Sequence, residues 1–115
     1  MNVLVVEDDQ NVLAFIDRAL TQKGHTVLAA GDPDHARFVV TEHGDTVDLL
    51  LVDIVLPGAN GLDFARAMKK EHAEMKIVFM TGMAHRSPQV LRSGLGPVLH
   101  KPFTVEELFR TIDNI

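Results

Sequence analysis

Acidic residues follow two apolar runs of the kind that form buried strands. Glu7 and Asp8 come directly after Val3 to Val6, and Asp53 comes directly after Leu49 to Val52. An apolar run bounded by polar residues predicts a strand that is buried on both faces of a parallel sheet. A carboxylate is costly inside such a run unless it stands at the strand end and faces a polar cleft. We therefore predict that Asp53 ends a central strand, at the sheet edge where open α/β sheets bind ligands.

Two further polar residues end predicted strands at the same edge. Thr81 follows the fourth apolar run and Lys101 follows the fifth, so five polar side chains are expected around one crevice. Three carboxylates that lie close together repel one another, and a hard divalent cation relieves that repulsion. Oxygen ligands with room for water suit Mg²⁺. The pattern predicts a magnesium site.

The elements that must position these residues alternate between strand and helix five times. The predicted strands are Val3 to Val6, His25 to Ala30, the run that ends at Asp53, Lys76 to Met80 and Pro97 to His100. Helical spacing of apolar residues follows every strand except the fourth, after which the helix is expected to be short or poorly formed. The fourth helix is expected to be short, between Ser87-Pro88 and Ser93-Gly94, and Thr104 with Glu107 forms a capping box for the fifth. We predict a flavodoxin-like, doubly wound (βα)5 sandwich with a parallel five-stranded sheet in the order 2-1-3-4-5.

Composition restricts the class of protein. The chain has 115 residues, of which 46% are hydrophobic and 23% are charged, which indicates one globular domain over residues 1–115. A net charge of −5 argues against nucleic acid as a direct partner. No apolar run approaches the roughly 20 residues of a membrane span, and no basic segment precedes the first strand, so we expect neither membrane insertion nor a signal peptide. The absence of cysteine fits a cytoplasmic protein. Because the chain ends with the last predicted helix, we expect no room for an output domain.

Four motifs together resemble a known family. They are VVEDD near the start, LLLVDIVLPGANG in the middle, FMTG at the fourth strand and HKPF before the last helix. With these motifs the sequence resembles the receiver domain of two-component response regulators over nearly all of its length. The resemblance implies that Asp53 accepts a phosphoryl group from a phosphohistidine on a histidine kinase or histidine phosphotransfer protein. The domain would then change conformation and signal to a downstream protein partner.

The resemblance also implies a role for each residue that binds the metal. Asp8 and Asp53, together with the backbone carbonyl of Val55, would bind Mg²⁺ directly. Glu7 would bind it mostly through water. In this family the bond between Lys101 and Pro102 is usually cis.

The remaining implied roles concern the phosphoryl group. Lys101 would pair with the Asp53 carboxylate and then with the phosphoryl oxygens, and the Thr81 hydroxyl would move to bond the same group. This agrees with general chemistry, because a carboxylate can be a nucleophile toward phosphorus and phosphoryl transfer needs positioning and charge neutralisation. Such a domain catalyses its own phosphorylation and dephosphorylation without being a classical enzyme.

One departure from the family concerns the switch. Receivers usually carry Phe or Tyr three residues before the strand-five lysine, and this position is Val98 here. A rotating aromatic side chain therefore cannot couple the site to the output surface in the familiar form. Receivers of hybrid kinases and some single-domain receivers share this feature.

Two rival classes of function remain. A phosphatase of the haloacid dehalogenase type needs a second acid two residues after the nucleophile, where this chain has Val55. A degenerate receiver, used only as a phosphorylation-independent protein-binding module, is the other alternative.

The six histidines do not pair at metal-ligand spacing, although His100 stands next to Lys101, and Asp9 is interpreted as a helix-start residue.

Overall fold

Five parallel strands form one sheet at the centre of the computed structural model, which describes residues 1–43, 46–83 and 87–115. Their order is β2-β1-β3-β6-β7, which confirms the predicted order 2-1-3-4-5. The strands are β1 (Asn2–Val6), β2 (Thr26–Ala30), β3 (Leu49–Asp53), β6 (Lys76–Thr81) and β7 (Val98–His100). The labels β4 and β5 belong to a separate small hairpin between β3 and the third helix.

Within the described residues, five helices cover the two faces of this sheet. They are α1 (Gln10–Gln22), α2 (Pro33–His43), α3 (Gly61–Glu71), α4 (Ser87–Ser93) and α5 (Val105–Asp113). The core on one face takes buried residues from α2, α3 and α4, and the core on the other face takes them from α1 and α5. The predicted flavodoxin-like sandwich is therefore confirmed. Gly44, where we expected the second helix to end, lies outside the described residues.

Alternation along the central strands explains how one sheet serves two cores. Leu50 and Val52 of β3 face the α2–α3–α4 core, whereas Leu49 and Leu51 face the α1–α5 core. Successive side chains of a strand point to opposite faces, so an unbroken apolar run is what a sheet covered on both sides requires. Of the helices that the structure describes, none is long and apolar enough to cross a membrane.

A two-stranded hairpin after β3 was not predicted. Its strands β4 (Val55–Leu56) and β5 (Ala59–Asn60) pair antiparallel around the Pro57-Gly58 turn. Strands of two residues are too short to show a period in the sequence. Gly58 has a φ of 65°, a conformation that glycine adopts readily.

The register of the sheet brings the predicted strand ends to one edge. Val6 pairs with Val52, so that Glu7 and Asp53 follow at the same level on neighbouring strands. On the other side of β3, Thr81 lies one residue beyond the partner of Asp53. This edge is where the candidate site is built.

Candidate functional site

Asp53 is the last residue of β3, and its carboxylate is buried at the centre of the site. One carboxylate oxygen, Oδ1, accepts a hydrogen bond of 2.8 Å from the backbone N–H of Val55, and the other, Oδ2, accepts from Lys101 Nζ. Both oxygens therefore have a donor although the side chain is almost shielded from solvent. The orientation of this carboxylate is fixed by the protein itself.

The backbone under Asp53 leaves no space for a side chain at position 61. The N–H of Gly61 donates to the carbonyl of Ile54 at 2.7 Å. A Cβ atom added to Gly61 would overlap the carbonyl oxygen of Asp53. Since Val55 pairs with Asn60 immediately before this contact, the hairpin is held directly against the end of β3. The backbone at Val55 is placed beside the Asp53 carboxylate in this way.

Glu7 and Asp53 share one ammonium group. Lys101 Nζ donates to Glu7 Oε1 as well as to Asp53 Oδ2, and the side chain of Glu7 is fully buried. Burial raises the pKa of Glu7 to about 7, although the hydrogen bond from Lys101 opposes this change. Burial would lower the pKa of Lys101, but its hydrogen bonds to Asp53 and Glu7 outweigh burial and raise it. The lysine therefore remains charged between the two carboxyl groups.

A third carboxylate completes an acidic cluster at the edge of the sheet. Ligand oxygens of Glu7, Asp8 and Asp53 all lie within 4.8 Å of one another. Asp8 is exposed, while Asp9 turns away to accept hydrogen bonds from the first turn of α1, as interpreted from the sequence. A set of carboxylate oxygens with one solvent-facing member fits a small hard cation that keeps some of its water. The donor set therefore fits Mg²⁺.

Thr81 ends β6 and is buried beside the same edge. Its hydroxyl accepts a hydrogen bond of 2.9 Å from the N–H of Met83 and lies 3.3 Å from the carbonyl oxygen of Met83. The hydroxyl is therefore engaged with the segment that follows β6. Any new bond from this hydroxyl to a ligand must compete with these contacts.

A mostly apolar groove opens next to Lys101. It has a volume of about 500 Å³ and is lined by residues of α1 and of the segment after β7, namely Asn11, Val12, Phe15, Lys101, Pro102 and Phe103. The rings of Phe15 and Phe103 lie 6.0 Å apart between their centroids. Phe15 is 40% exposed. We did not predict this groove, because it forms only when the two ends of the chain meet.

His100 also has a contact that the sequence does not reveal. Its Nε2 atom lies 3.3 Å from the hydroxyl of Ser87, the first residue of α4. Ser87 is buried and Lys101 follows His100 directly. The position of His100 beside Lys101 was the available signal, but its partner depends on how α4 packs.

Comparisons with known proteins identify the family. A family model described as "Response regulator receiver domain" matches residues 3–113. The chain belongs to this family. The receiver domain is thus matched over almost the whole chain, in accordance with the four sequence motifs.

Two curated relatives of different kinds are longer than this chain. The chain is 32% identical over 111 residues to the transcriptional regulatory protein TcrA of Mycobacterium tuberculosis, covering 95% of this chain and 43% of that protein. It is 32% identical over 115 residues to the sensor kinase CckA of Brucella abortus, covering 96% of this chain and 12% of that protein. The chain therefore spans less than half the length of these two relatives.

A solved structure supports the fold of the receiver domain. The response regulator protein TrrA of Thermotoga maritima, in complex with Mg(2+)-BeF, is similar with a TM-score of 0.88 at 24% identity. The similarity covers 98% of this chain and 96% of that one. At this level of identity the likeness concerns the fold.

Proposed function

We propose that residues 1–115 form one receiver domain that accepts a phosphoryl group from a phosphohistidine onto Asp53. One observation carries this proposal. The Asp53 carboxylate accepts hydrogen bonds from the Val55 N–H and from Lys101, and it lies within a cluster of acidic residues that could bind a metal ion. A buried carboxylate that is merely structural does not need a cation site beside it. The complete set of donors and ligands favours this function over that of a degenerate receiver.

The chemistry would follow from the residues in place. An oxygen of Asp53 forms a bond to phosphorus while the bond from phosphorus to the imidazole nitrogen of the donor breaks, and the nitrogen keeps the electron pair. Lys101, which bonds the Asp53 carboxylate, would move to a phosphoryl oxygen, and the Thr81 hydroxyl would bond another once it leaves Met83. Asp8, Asp53 and the Val55 carbonyl would hold Mg²⁺, with Glu7 acting mostly through water, and the ion would supply charge neutralisation for the phosphoryl oxygens.

The test is phosphorylation by a small donor. The protein is incubated with acetyl phosphate or phosphoramidate, with and without Mg²⁺, and its intact mass is measured. We expect a gain of one phosphoryl group that depends on Mg²⁺. A protein that keeps its mass under both conditions would instead act as the phosphorylation-independent binding module.

The proposed partners are a histidine kinase or histidine phosphotransfer protein as donor and a downstream protein as receiver of the signal. The names of TcrA and CckA support a place in signalling, and the Mg(2+)-BeF complex of TrrA supports magnesium as the cofactor. The net charge of −5 makes direct binding of nucleic acid unfavourable. We propose that the domain works in the cytoplasm.

The groove beside Lys101 leads to a prediction about the donor protein. Replacing Phe15 by alanine should slow transfer from a phosphohistidine protein about tenfold, because exposed aromatic anchors contribute strongly to interfaces. Uptake from acetyl phosphate should stay unchanged, since a small donor needs no docking surface. Time courses with both donors measure the two rates.

Phe38→Ala is the matched control for this experiment. Phe38 is 64% exposed and lies on α2, which packs on the opposite face of the sheet from α1. Both donors should phosphorylate this variant at the parent rate. Equal slowing of both donors by Phe15→Ala would show that the variant disturbs the site itself, and docking at the groove would be rejected.

A further prediction concerns the segment after β6. Phosphorylation should slow amide exchange in residues 82–93, because new bonds to Thr81 and nearby amides order this segment. Residues 84–86 of it lie outside the described residues. Val98, which is partly buried against the core that contains Phe79 and Val90, is too small to act as a rotating plug. Val98→Ala should therefore change this response little. Equal exchange in both states, or loss of the response in Val98→Ala, would contradict this route.

A further inference from the structure

A side-chain hydrogen bond joins α4 to the end of β7. The hydroxyl of Ser87 and Nε2 of His100 lie 3.3 Å apart. Ser87 begins α4, which follows β6, whereas His100 ends β7. The contact therefore ties the start of α4 to a strand that comes after it in the sequence.

The strand that holds His100 is part of the candidate site. Lys101, the next residue, pairs with Asp53 and Glu7. His100 is also the register partner of Thr81, and the N–H of Lys101 donates to the Thr81 carbonyl at 2.8 Å. The His100 side chain therefore starts where the ends of β6 and β7 pair, beside Thr81 and Lys101.

Thr81 and Ser87, which flank the stretch 82–86, each make a side-chain hydrogen bond. The Thr81 hydroxyl is bonded to Met83, and Ser87 is bonded to His100. Both contacts lead back to the ends of β6 and β7. A change at the end of β7 can reach α4 directly through the hydrogen bond between His100 and Ser87.

The face of β7 that carries His100 is the one that faces α4. Val98 packs on the core that contains Val90 of α4, and Leu99 packs on the opposite core. Side chains two residues apart in a strand share a face, so His100 lies on the α4 side together with Val98. Of Val98 and His100, only His100 is polar, and it directly precedes Lys101 of the site.

We propose that His100 is a positioning residue that couples the phosphorylation site to α4 through Ser87, in the role that Val98 is too small to fill. Because Lys101 and Thr81 are expected to change partners when Asp53 is phosphorylated, the strand ends that carry His100 are where the change begins. The hydrogen bond to Ser87 passes that change to the first turn of α4. This inference rests on the proposed function.

The experiment compares His100→Ala with the parent by hydrogen exchange of residues 89–93, before and after phosphorylation by acetyl phosphate and Mg²⁺. In the unphosphorylated variant these amides should exchange about fivefold faster, the effect of losing one ordinary hydrogen bond. The slowing of exchange on phosphorylation should be lost in α4, while intact mass still shows the phosphoryl group on the protein. Faster exchange with the slowing retained would mean that the contact is only structural and would overturn the proposal.

Four further variants make the result specific. The Ser87→Ala and His100→Ala changes should not add in the double variant, because both remove the same bond. His100→Gln should restore the response, since the amide of glutamine can donate or accept at a similar reach. His35→Ala, which removes an exposed histidine of α2, should behave like the parent. Additive effects, or a loss of response in His35→Ala, would reject the assignment to this hydrogen bond.

Failure of the two proposals can be told apart. If the parent takes up no phosphoryl group, the proposed function is wrong, and the exchange of α4 in unphosphorylated His100→Ala still shows whether the bond holds α4. If the parent is phosphorylated and α4 responds equally in His100→Ala, the function stands and the coupling through His100 is wrong.

Discussion

Asp53→Asn is expected to take up no phosphoryl group from either acetyl phosphate or a phosphohistidine protein. The amide lacks the negative charge that makes a carboxylate oxygen a nucleophile. Asp53 is the carboxylate of the cluster that lies on the central strand and is held by two donors. Intact mass after incubation with each donor and Mg²⁺ measures the loss.

The fold of this variant should remain intact. The side-chain oxygen of asparagine can still accept the hydrogen bond from the Val55 N–H, and Lys101 keeps Glu7 as a partner. Removing one of three clustered carboxylates also reduces repulsion. Circular dichroism and thermal unfolding should match those of the parent. A stable phosphoryl group on Asp8 or Glu7 in this variant would show that the acceptor was assigned to the wrong residue.

Asp8→Ala should lower the affinity for Mg²⁺ by at least about tenfold, because loss of a direct ligand costs no less than loss of an outer-shell partner. Asp8 is exposed, and its backbone N–H, which donates to Glu7 at 3.1 Å, is kept in alanine. The free energy of unfolding of the metal-free protein should stay the same or rise, since repulsion within the acidic cluster falls. Titration calorimetry with Mg²⁺ and chemical denaturation without it measure the two quantities.

Asp9→Ala is the matched control, with the opposite signature. The Asp9 carboxylate accepts hydrogen bonds from the N–H groups of Asn11 and Val12 at the start of α1. Its loss should cost about 1 kcal/mol of stability, the usual cost of removing an N-cap. The affinity for Mg²⁺ should remain near that of the parent. Equal affinity in Asp8→Ala and the parent would remove Asp8 from the ligand set.

Much of the site could be predicted because strand ends are visible in a sequence. Buried parallel strands are apolar throughout, so the first charged residue after each run marks the sheet edge. This reasoning identified Glu7, Asp53 and Lys101 as neighbours, although 94 positions separate the two residues of the Lys101–Glu7 pair. The order of the strands supplied the rest, since β1 and β3 are adjacent and Val6 pairs with Val52.

The features that were not predicted depend on contacts between elements. The hairpin after β3 consists of two-residue strands, and the groove needs Phe15 of α1 beside Phe103. The bond between Ser87 and His100 depends on the angle at which a seven-residue helix packs on β7. Periodicity describes one element at a time, so it carries no information about such partners.

Two glycines follow Asp53, Gly58 in the hairpin turn and Gly61 at the start of α3, and they differ in the substitutions that they can accept. Gly58 sits in open space and is constrained only by its left-handed backbone, so asparagine or aspartate can replace it at modest cost. Gly61 has an ordinary backbone but no room, because its Cβ would occupy the place of the Asp53 carbonyl oxygen. Among functional variants, position 58 should therefore accept several residues, whereas position 61 should remain glycine. Neither residue takes part in the chemistry.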